Sequence, residues 1–303
     1  MEELFCIGCG AQIQTTDKDV AGFTPQSALE KGLETGQLYC QRCFRLRHYN
    51  EISDVNISDD DFLKLLHSVG ESDALVVNVI DIFDFNGSII PGFPRFISGN
   101  DVLLVGNKQD ILPKSVKTGK VTQWFTERAH EIGMRPVDVV LTSAQNKQAI
   151  KDLIEKIEQY RKGRDVYVVG VTNVGKSTLI NAIIQEITGD KDVITTSRFP
   201  GTTLDKIEIP LDDGSFIYDT PGIIHRHQMA HYLTAKNLKY ISPRKEIKPK
   251  TYQLNPEQTL FLAGLGRFDF VSGERQGFTA FFDNELQLHR TKLQGASDFY
   301  QKH

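Results

Sequence analysis

The sequence predicts a doubly wound, mostly parallel α/β domain with a small cysteine-rich module in front and a small β-rich domain behind. Three observations carry this. Between residues 58 and 184, short β-branched runs alternate with helical patterns. All four cysteines lie within the first 43 residues. After residue 258, short aromatic-rich runs are split by glycines. Strands that alternate with helices pack as a parallel sheet covered by those helices. Such sheets hold ligands at the carboxyl ends of their strands.

A chain of 303 residues can bury a sizeable core and form more than one domain. With 40% hydrophobic and 24% charged residues it falls among folded globular proteins, not disordered ones. No apolar run is long enough to span a bilayer, and Met1-Glu2-Glu3 begins no signal peptide. The cytoplasm is the expected compartment, with no membrane partner. A net charge of −4 excludes a generic polyanion binder, so any nucleic-acid contact must come from local basic patches.

Residues 1–50 carry Cys6-x-x-Cys9 and Cys40-x-x-Cys43. Two such pairs supply the four thiolates of a closed tetrahedral zinc site. The loop between them is longer than in the most compact zinc modules, which leaves the subtype open. Disulfides are the alternative, disfavoured in a reducing compartment. A module this small cannot bury its own core, so metal binding should supply much of its folding free energy. Arg42, Phe44, Arg45, Arg47, His48 and Tyr49 then interleave cations with aromatics. Such a run can hold phosphate and stack on bases, or it is a solvated face with Phe44 packed on the knuckle.

Residues 51–224 form the α/β domain. Ser58-Asp59-Asp60-Asp61 caps a helix through Leu66. Ala74–Asp81 and Asp101–Gly106 read as buried strands, Val121–Ile132 as a helix, Val137–Leu141 as a strand and Ile150–Tyr160 as an amphipathic helix. The second of these strands runs directly into Asn107-Lys108-Gln109-Asp110, and the third ends at Thr142-Ser143-Ala144. The Asp110 carboxylate can accept both the ring N–H and the exocyclic amine of guanine. Adenine lacks that pair of donors and would leave the carboxylate, expected to be buried, unpaired, a mismatch that can cost ~10⁴–10⁵ in discrimination. Asn107 can bond the purine and tie neighbouring loops, Lys108 can cover the ring face, and Ser143-Ala144 can offer a backbone N–H to the guanine carbonyl. A plain surface turn is the alternative for N-K-x-D on its own.

The next strand, Asp165–Val169, turns through Gly170-Val171-Thr172-Asn173-Val174-Gly175-Lys176-Ser177-Thr178 into a helix. Strand, G-x-x-x-x-G-K-S and helix together make a phosphate-binding loop. Gly170 and Gly175 let successive N–H groups turn inward at an anion, and the helix N-terminus adds positive potential. Lys176 can reach the β- and γ-phosphates and Ser177 can ligate Mg²⁺. Arg198–Thr203 reads as an exposed loop in which Thr203, or less readily Thr202, could ligate Mg²⁺ when a γ-phosphate is present. Lys206–Leu211 and Ser215–Tyr218 read as a hairpin around Asp212-Asp213-Gly214. It ends at Asp219-Thr220-Pro221-Gly222, where Asp219 can hold Mg²⁺ through a water and Gly222 can offer its N–H to the γ-phosphate.

These are the five elements of a GTPase, with the base-reading pieces ahead of the phosphate loop. The chain therefore resembles a circularly permuted, Ras-like GTPase. With C-x-G-C, C-Q-R-C-F, N-K-x-D, G-x-T-N-V-G-K-S, P-G-T-T and D-T-P-G, it closely resembles the YqeH family of bacterial ribosome-assembly GTPases over essentially its whole length. The resemblance implies GTP and GDP as ligands and a role in maturing the small (30S) ribosomal subunit. It also implies contacts with that particle, its rRNA or ribosomal proteins. In resembling GTPases an Asn at position 173 accompanies a bound K⁺, which implies K⁺-stimulated hydrolysis. Family members usually continue past residue 303, which implies a C-terminal domain trimmed at its last helix. One departure matters: Ile223 and Ile224 follow Gly222 where a water-positioning Gln is usual, so intrinsic turnover should be slow. A signalling GTPase whose zinc module recruits proteins only is the alternative.

Residues 225–303 form the third part. Lys236, Lys239, Arg244, Lys245, Lys248 and Lys250 make a basic stretch that reads as a footprint for RNA backbone, or as a solvated linker. Thr259–Ala263, Arg267–Ser272 and Gly277–Phe282 read as strands. Their phenylalanines, Phe261, Phe268, Phe270, Phe278, Phe281 and Phe282, are assigned to a core before a base-stacking platform.

Overall fold

A computed structural model describes residues 4–7, 11–18, 20–49, 59–97, 99–188, 207–220, 222, 232–238 and 240–302. By compactness the chain forms two units, one of residues 1–110 and 117–227, the other of 111–116 and 228–303.

In the first unit, α1 (Gln26–Thr35) and α2 (Gln41–Tyr49) belong to the cysteine-rich module. Then come α3 (Asp59–Gly70), β1 (Ala74–Asp81), α4 (Phe85–Ser88), α5 (Phe93–Phe96), β2 (Asp101–Asn107), α6 (Thr118–Glu131) and β3 (Asp138–Leu141). They are followed by α7 (Lys147–Arg161), β4 (Asp165–Val169), α8 (Lys176–Thr188), β5 (Ile207–Pro210) and β6 (Phe216–Asp219). The six strands form one sheet in the order β3-β2-β1-β4-β6-β5. All neighbours are parallel except the β5–β6 hairpin. The expected doubly wound sheet is therefore present, and each strand and helix read from the α/β stretch is found within a few residues of its expected bounds.

The chain reverses direction across the sheet between β1 and β4, which is where such sheets open a crevice for ligands. Every residue of β1 is buried. A strand covered on both faces needs the unbroken apolar run seen here, with Asn78 the single polar interruption before Asp81. Helix α7 packs on β1, β2 and α8. Its start is fixed by Asn146, whose side chain accepts the N–H groups of Gln148 and Ala149.

The turn Lys162–Arg164 joins α7 to β4, and arginines on both sides of it clamp it. Buried Arg161 donates to Asp213 at 2.8 Å, Ser215 Oγ at 2.7 Å and Glu158 at 2.7 Å. That fastens the end of α7 to the β5–β6 turn. Arg164 reaches Asp101 at 2.7 Å and Asp73 at 3.3 Å, at the starts of β2 and β1. The Ser215 hydroxyl and N–H, then Arg161, hold the Asp213 carboxyl at about 2, below its ordinary 3.8.

In the cysteine-rich module Cys6, Cys40 and Cys43 are buried, with their Sγ atoms within 4.8 Å of one another. None of the three is in a disulfide. Cys9, the fourth expected ligand, lies outside the described residues. The Cys40 N–H donates to Cys6 Sγ at 3.1 Å, an arrangement that favours thiolate. Three converging buried sulfurs suit a tetrahedral thiolate site, in which Zn–S is ~2.3 Å. The long loop between the cysteine pairs contains α1, ended by Gly36 in the left-handed conformation. Arg42, expected on a cationic face, is instead 9% exposed. Phe44 is 44% exposed and does not bury itself on the knuckle.

The second unit has α9 (Ala235–Leu238), β7 (Lys250–Leu254), β8 (Gln258–Leu262), β9 (Gly266–Phe270), β10 (Gln276–Ala280), β11 (Leu288–Lys292) and α10 (Ala296–Lys302). Antiparallel pairing gives a two-stranded sheet, β10-β7, and a three-stranded one, β11-β8-β9. Phe261 is core, as expected, but Phe268 and Phe281 are 41% and 55% exposed. Phe268 and Phe270 instead flank Phe278, with ring centroids 4.9 and 5.0 Å away. So small a unit has too little interior to enclose six phenylalanines.

Replacing Arg161 by Met keeps the aliphatic stem and removes the guanidinium. Its carboxylate partners reach solvent, so urea unfolding should show a loss of only about 1–2 kcal/mol. Asp213's share of the clamp is fully present above its unfolded value near 3.8 and disappears as pH falls through about 2.

Candidate guanine-nucleotide site

The sequence-expected loops meet at the carboxyl edge of β1, β2, β3, β4 and β6. Register makes the meeting possible: Asp81 pairs with Asn107 across β1–β2, Asn78 with Val169 across β1–β4, and Val168 with Asp219 across β4–β6. Strand ends so aligned deliver their loops to one place.

The loop from Gly170 to Ser177 is held by close packing. A side chain at Gly170 would lie 2.8 Å from the Val79 carbonyl of β1. Gly175 has φ +84°, and a side chain there would lie 2.7 Å from Asn107 Nδ2. Glycine alone meets both demands at low cost. Val174 is fully buried, Thr178 is exposed at the start of α8, and Lys176 and Ser177 are 2% and 6% exposed. Lys176 Nζ is ion-paired with Asp219 Oδ1, both side chains being almost fully buried. The two charges expected to meet phosphate and magnesium therefore stand side by side. Thr220, the next residue, ties back to β4 through its hydroxyl, which donates to the Val168 carbonyl at 2.8 Å. Gly222 abuts the phosphate loop itself, since a side chain on it would lie 3.2 Å from Thr172 Cγ2.

The residues expected to read the base join the same loop. Asn107 Nδ2 donates to the Val174 carbonyl at 2.9 Å, while its buried Oδ1 has no partner among the described residues. Lys108 Nζ donates to the Asn173 carbonyl at 3.0 Å. Gln109 N–H donates to the Thr142 carbonyl and Thr142 N–H to the Gly106 carbonyl, each at 2.8 Å, so the Asn107–Asp110 and Ser143–Ala144 loops are stitched together. Ser143 is buried, and its Oγ accepts the Gln145 N–H. Asp110 sits in a single 3₁₀ turn and is exposed. Bound guanine, not protein, would have to desolvate its carboxylate.

Of the expected site residues, the structure brings together Asn107, Lys108, Asp110, Ser143, Ala144, Gly170, Asn173, Val174, Gly175, Lys176, Ser177, Thr178, Asp219 and Gly222. Thr202, Thr203, Ile223 and Ile224 lie outside the described residues. Sequence reasoning missed Asp81, which sits at the same edge, 2.5 Å from Lys108 Nζ. An acidic residue closing a buried strand was the available signal.

Comparison with known proteins gives the chain's family. A family profile described as "50S ribosome-binding GTPase" matches residues 165–255, which begin at the phosphate-loop strand. YqeH of Bacillus subtilis (strain 168) is 59% identical over 303 residues, covering all of this chain and 82% of that protein. The chloroplastic/mitochondrial NO-associated protein 1 of Arabidopsis thaliana is 29% identical over 98% of this chain, which spans 60% of that relative. A solved structure of GNP-bound YlqF from T. maritima matches at TM-score 0.37 and 24% identity, over 56% of this chain and 60% of that one. No helix among the described residues is long and apolar enough to cross a membrane. With 59% identity to YqeH over all of this chain, and β1–β3 preceding the phosphate-loop strand, the chain belongs to the YqeH family of circularly permuted GTPases.

Proposed function

We propose that this GTPase acts as a switch in assembly of the small (30S) ribosomal subunit, cycling between GTP and GDP in the cytoplasm. The observation that carries the nucleotide-binding part of the reading is the convergence of Lys176, Asp219 and the Asn107–Val174 link on one sheet edge. In the proposed site Asn107, Lys108, Asp110, Ser143 and Ala144 hold guanine. Gly170, Asn173, Val174, Gly175, Lys176, Ser177 and Thr178 cradle the phosphates. Ser177 and Thr203, with Asp219 acting through a water, would hold Mg²⁺, which when bound would supply positive charge against the phosphates. Lys176 supplies fixed positive charge for the same purpose, in surroundings dry enough to strengthen it. Gly222, pressed on the phosphate loop, offers its N–H to the γ-phosphate.

Cys6, Cys9, Cys40 and Cys43 would hold a structural Zn²⁺, which the three converging sulfurs already fit. Asn173 has φ +66° and an exposed side chain, free to lend an oxygen to K⁺. Exposed Arg244, Lys245 and Lys248 offer positive charge to rRNA. The matched profile's description concerns the 50S particle, so the decisive experiment presents both subunits.

Two outcomes are expected. GTP hydrolysis should be faster in KCl than in NaCl of equal ionic strength. Asn173→Gly, which suits the positive φ and removes only the side chain, should erase that difference and leave GDP affinity within about two-fold. Equal rates in the two salts for the unaltered chain would remove K⁺ from the mechanism. In sedimentation with purified subunits, the chain should travel with 30S particles in one nucleotide state and be released by raised salt. Travel with 50S alone would move the role to the large subunit, and travel with neither would end the ribosomal reading.

A further inference from the structure

Asp81 ends the central strand of the sheet and belongs to none of the recognised nucleotide-site motifs. Its side chain is 13% exposed and fully engaged. Oδ1 accepts the Phe83 N–H at 2.9 Å, which fixes the carboxylate's direction. Oδ2 takes the Lys108 ammonium at 2.5 Å. The same ammonium donates to the Asn173 carbonyl at 3.0 Å. One cation thus ties three loops: the one after β1, the one after β2 and the phosphate loop.

Lys108 itself has φ +68°, a left-handed conformation that costs a lysine free energy, while Asn173 has φ +66°, a conformation that asparagine adopts more readily. The Lys108 stem passes over Gly175, where a Cβ would lie 3.7 Å from Lys108 Cε. A lysine stem left free would lose its rotamer freedom each time a ligand bound; one already clamped does not.

We propose that Asp81 is a positioning residue for guanine-nucleotide binding: it clamps the Lys108 ammonium against the Asn173 carbonyl, locking base-reading and phosphate loops in one arrangement. The inference rests on the reading that Asn107, Lys108 and Asp110 hold the base. Asp81→Asn keeps the oxygen for Phe83 and removes the charge that orders Lys108. The discriminating element of the site, Asp110, is untouched. Affinity should therefore fall while selectivity among purines stays.

Calorimetry on the zinc-loaded full chain tests this. Asp81→Asn should raise the Kd for GDP about ten-fold, the scale of one charge-assisted hydrogen bond. The ratio of GDP to IDP affinity should not change. Lys108→Met alone should lose a similar amount, and adding Asp81→Asn to it should change Kd by less than two-fold. A full ten-fold loss on the Lys108→Met background would make Asp81 a general structural residue and overturn the proposal. So would unchanged affinity in either single variant, and if Asp81→Asn does not fold, Lys108→Met alone decides. Asp110→Asn serves as the control: it should shift preference from GDP to XDP. Failure of that control overturns the base-reading assignment itself, separately from Asp81.

Discussion

The register of β1 between β2 and β4 is the constraint on which the site depends. Seven paired positions fix it on one side and five on the other. A slip by one residue would exchange the side chains that β1 presents to its two covered faces, and with both faces buried that repacking is costly. With register fixed, Asn107 and Val174, 67 positions apart in sequence, come within one hydrogen bond. No single loop could hold a nucleotide on its own; the sheet acts as the jig that sets their spacing.

Much of this was legible in the sequence because period and punctuation agreed. β-branched runs of strand length ended at Asn107, at Thr142 and at Gly170, each followed by a helical pattern. That agreement alone puts the loops on one edge of the sheet. What stayed hidden was mostly charge geometry. Nothing in Tyr160–Arg164 says that Arg161 turns inward to the β5–β6 turn while Arg164 turns toward Asp101. The Asp81–Lys108 pair was hidden for a related reason: a lone acid after an apolar strand marks either a turn or a site. Only the third dimension supplies its partner.

The flanking parts were read less completely, for reasons of size. The cysteine spacing pointed to a four-sulfur site, and three of those sulfurs do converge. The helix that fills the long interval between the pairs left a weak pattern, with little apolar content to mark it. In the second unit two of the five strands, β7 and β11, escaped notice. They carry Lys, Gln, His and Arg among few apolar residues, as strands with an open face do. Exposed Phe268 follows from the same openness.

The order of strands in the sheet bears on synthesis. Translation delivers β1, β2 and β3 first, complete with the loop proposed for the purine, while the phosphate loop and Asp219 are still unmade. Until residue 169 clears the ribosome, β1 lacks one of its two neighbours. A nascent chain at that stage exposes apolar edge, and nucleotide cannot yet stabilise it by mass action. In the unpermuted arrangement a nascent chain meets phosphate early; here the ligand becomes a folding partner only once most of the α/β domain has been made.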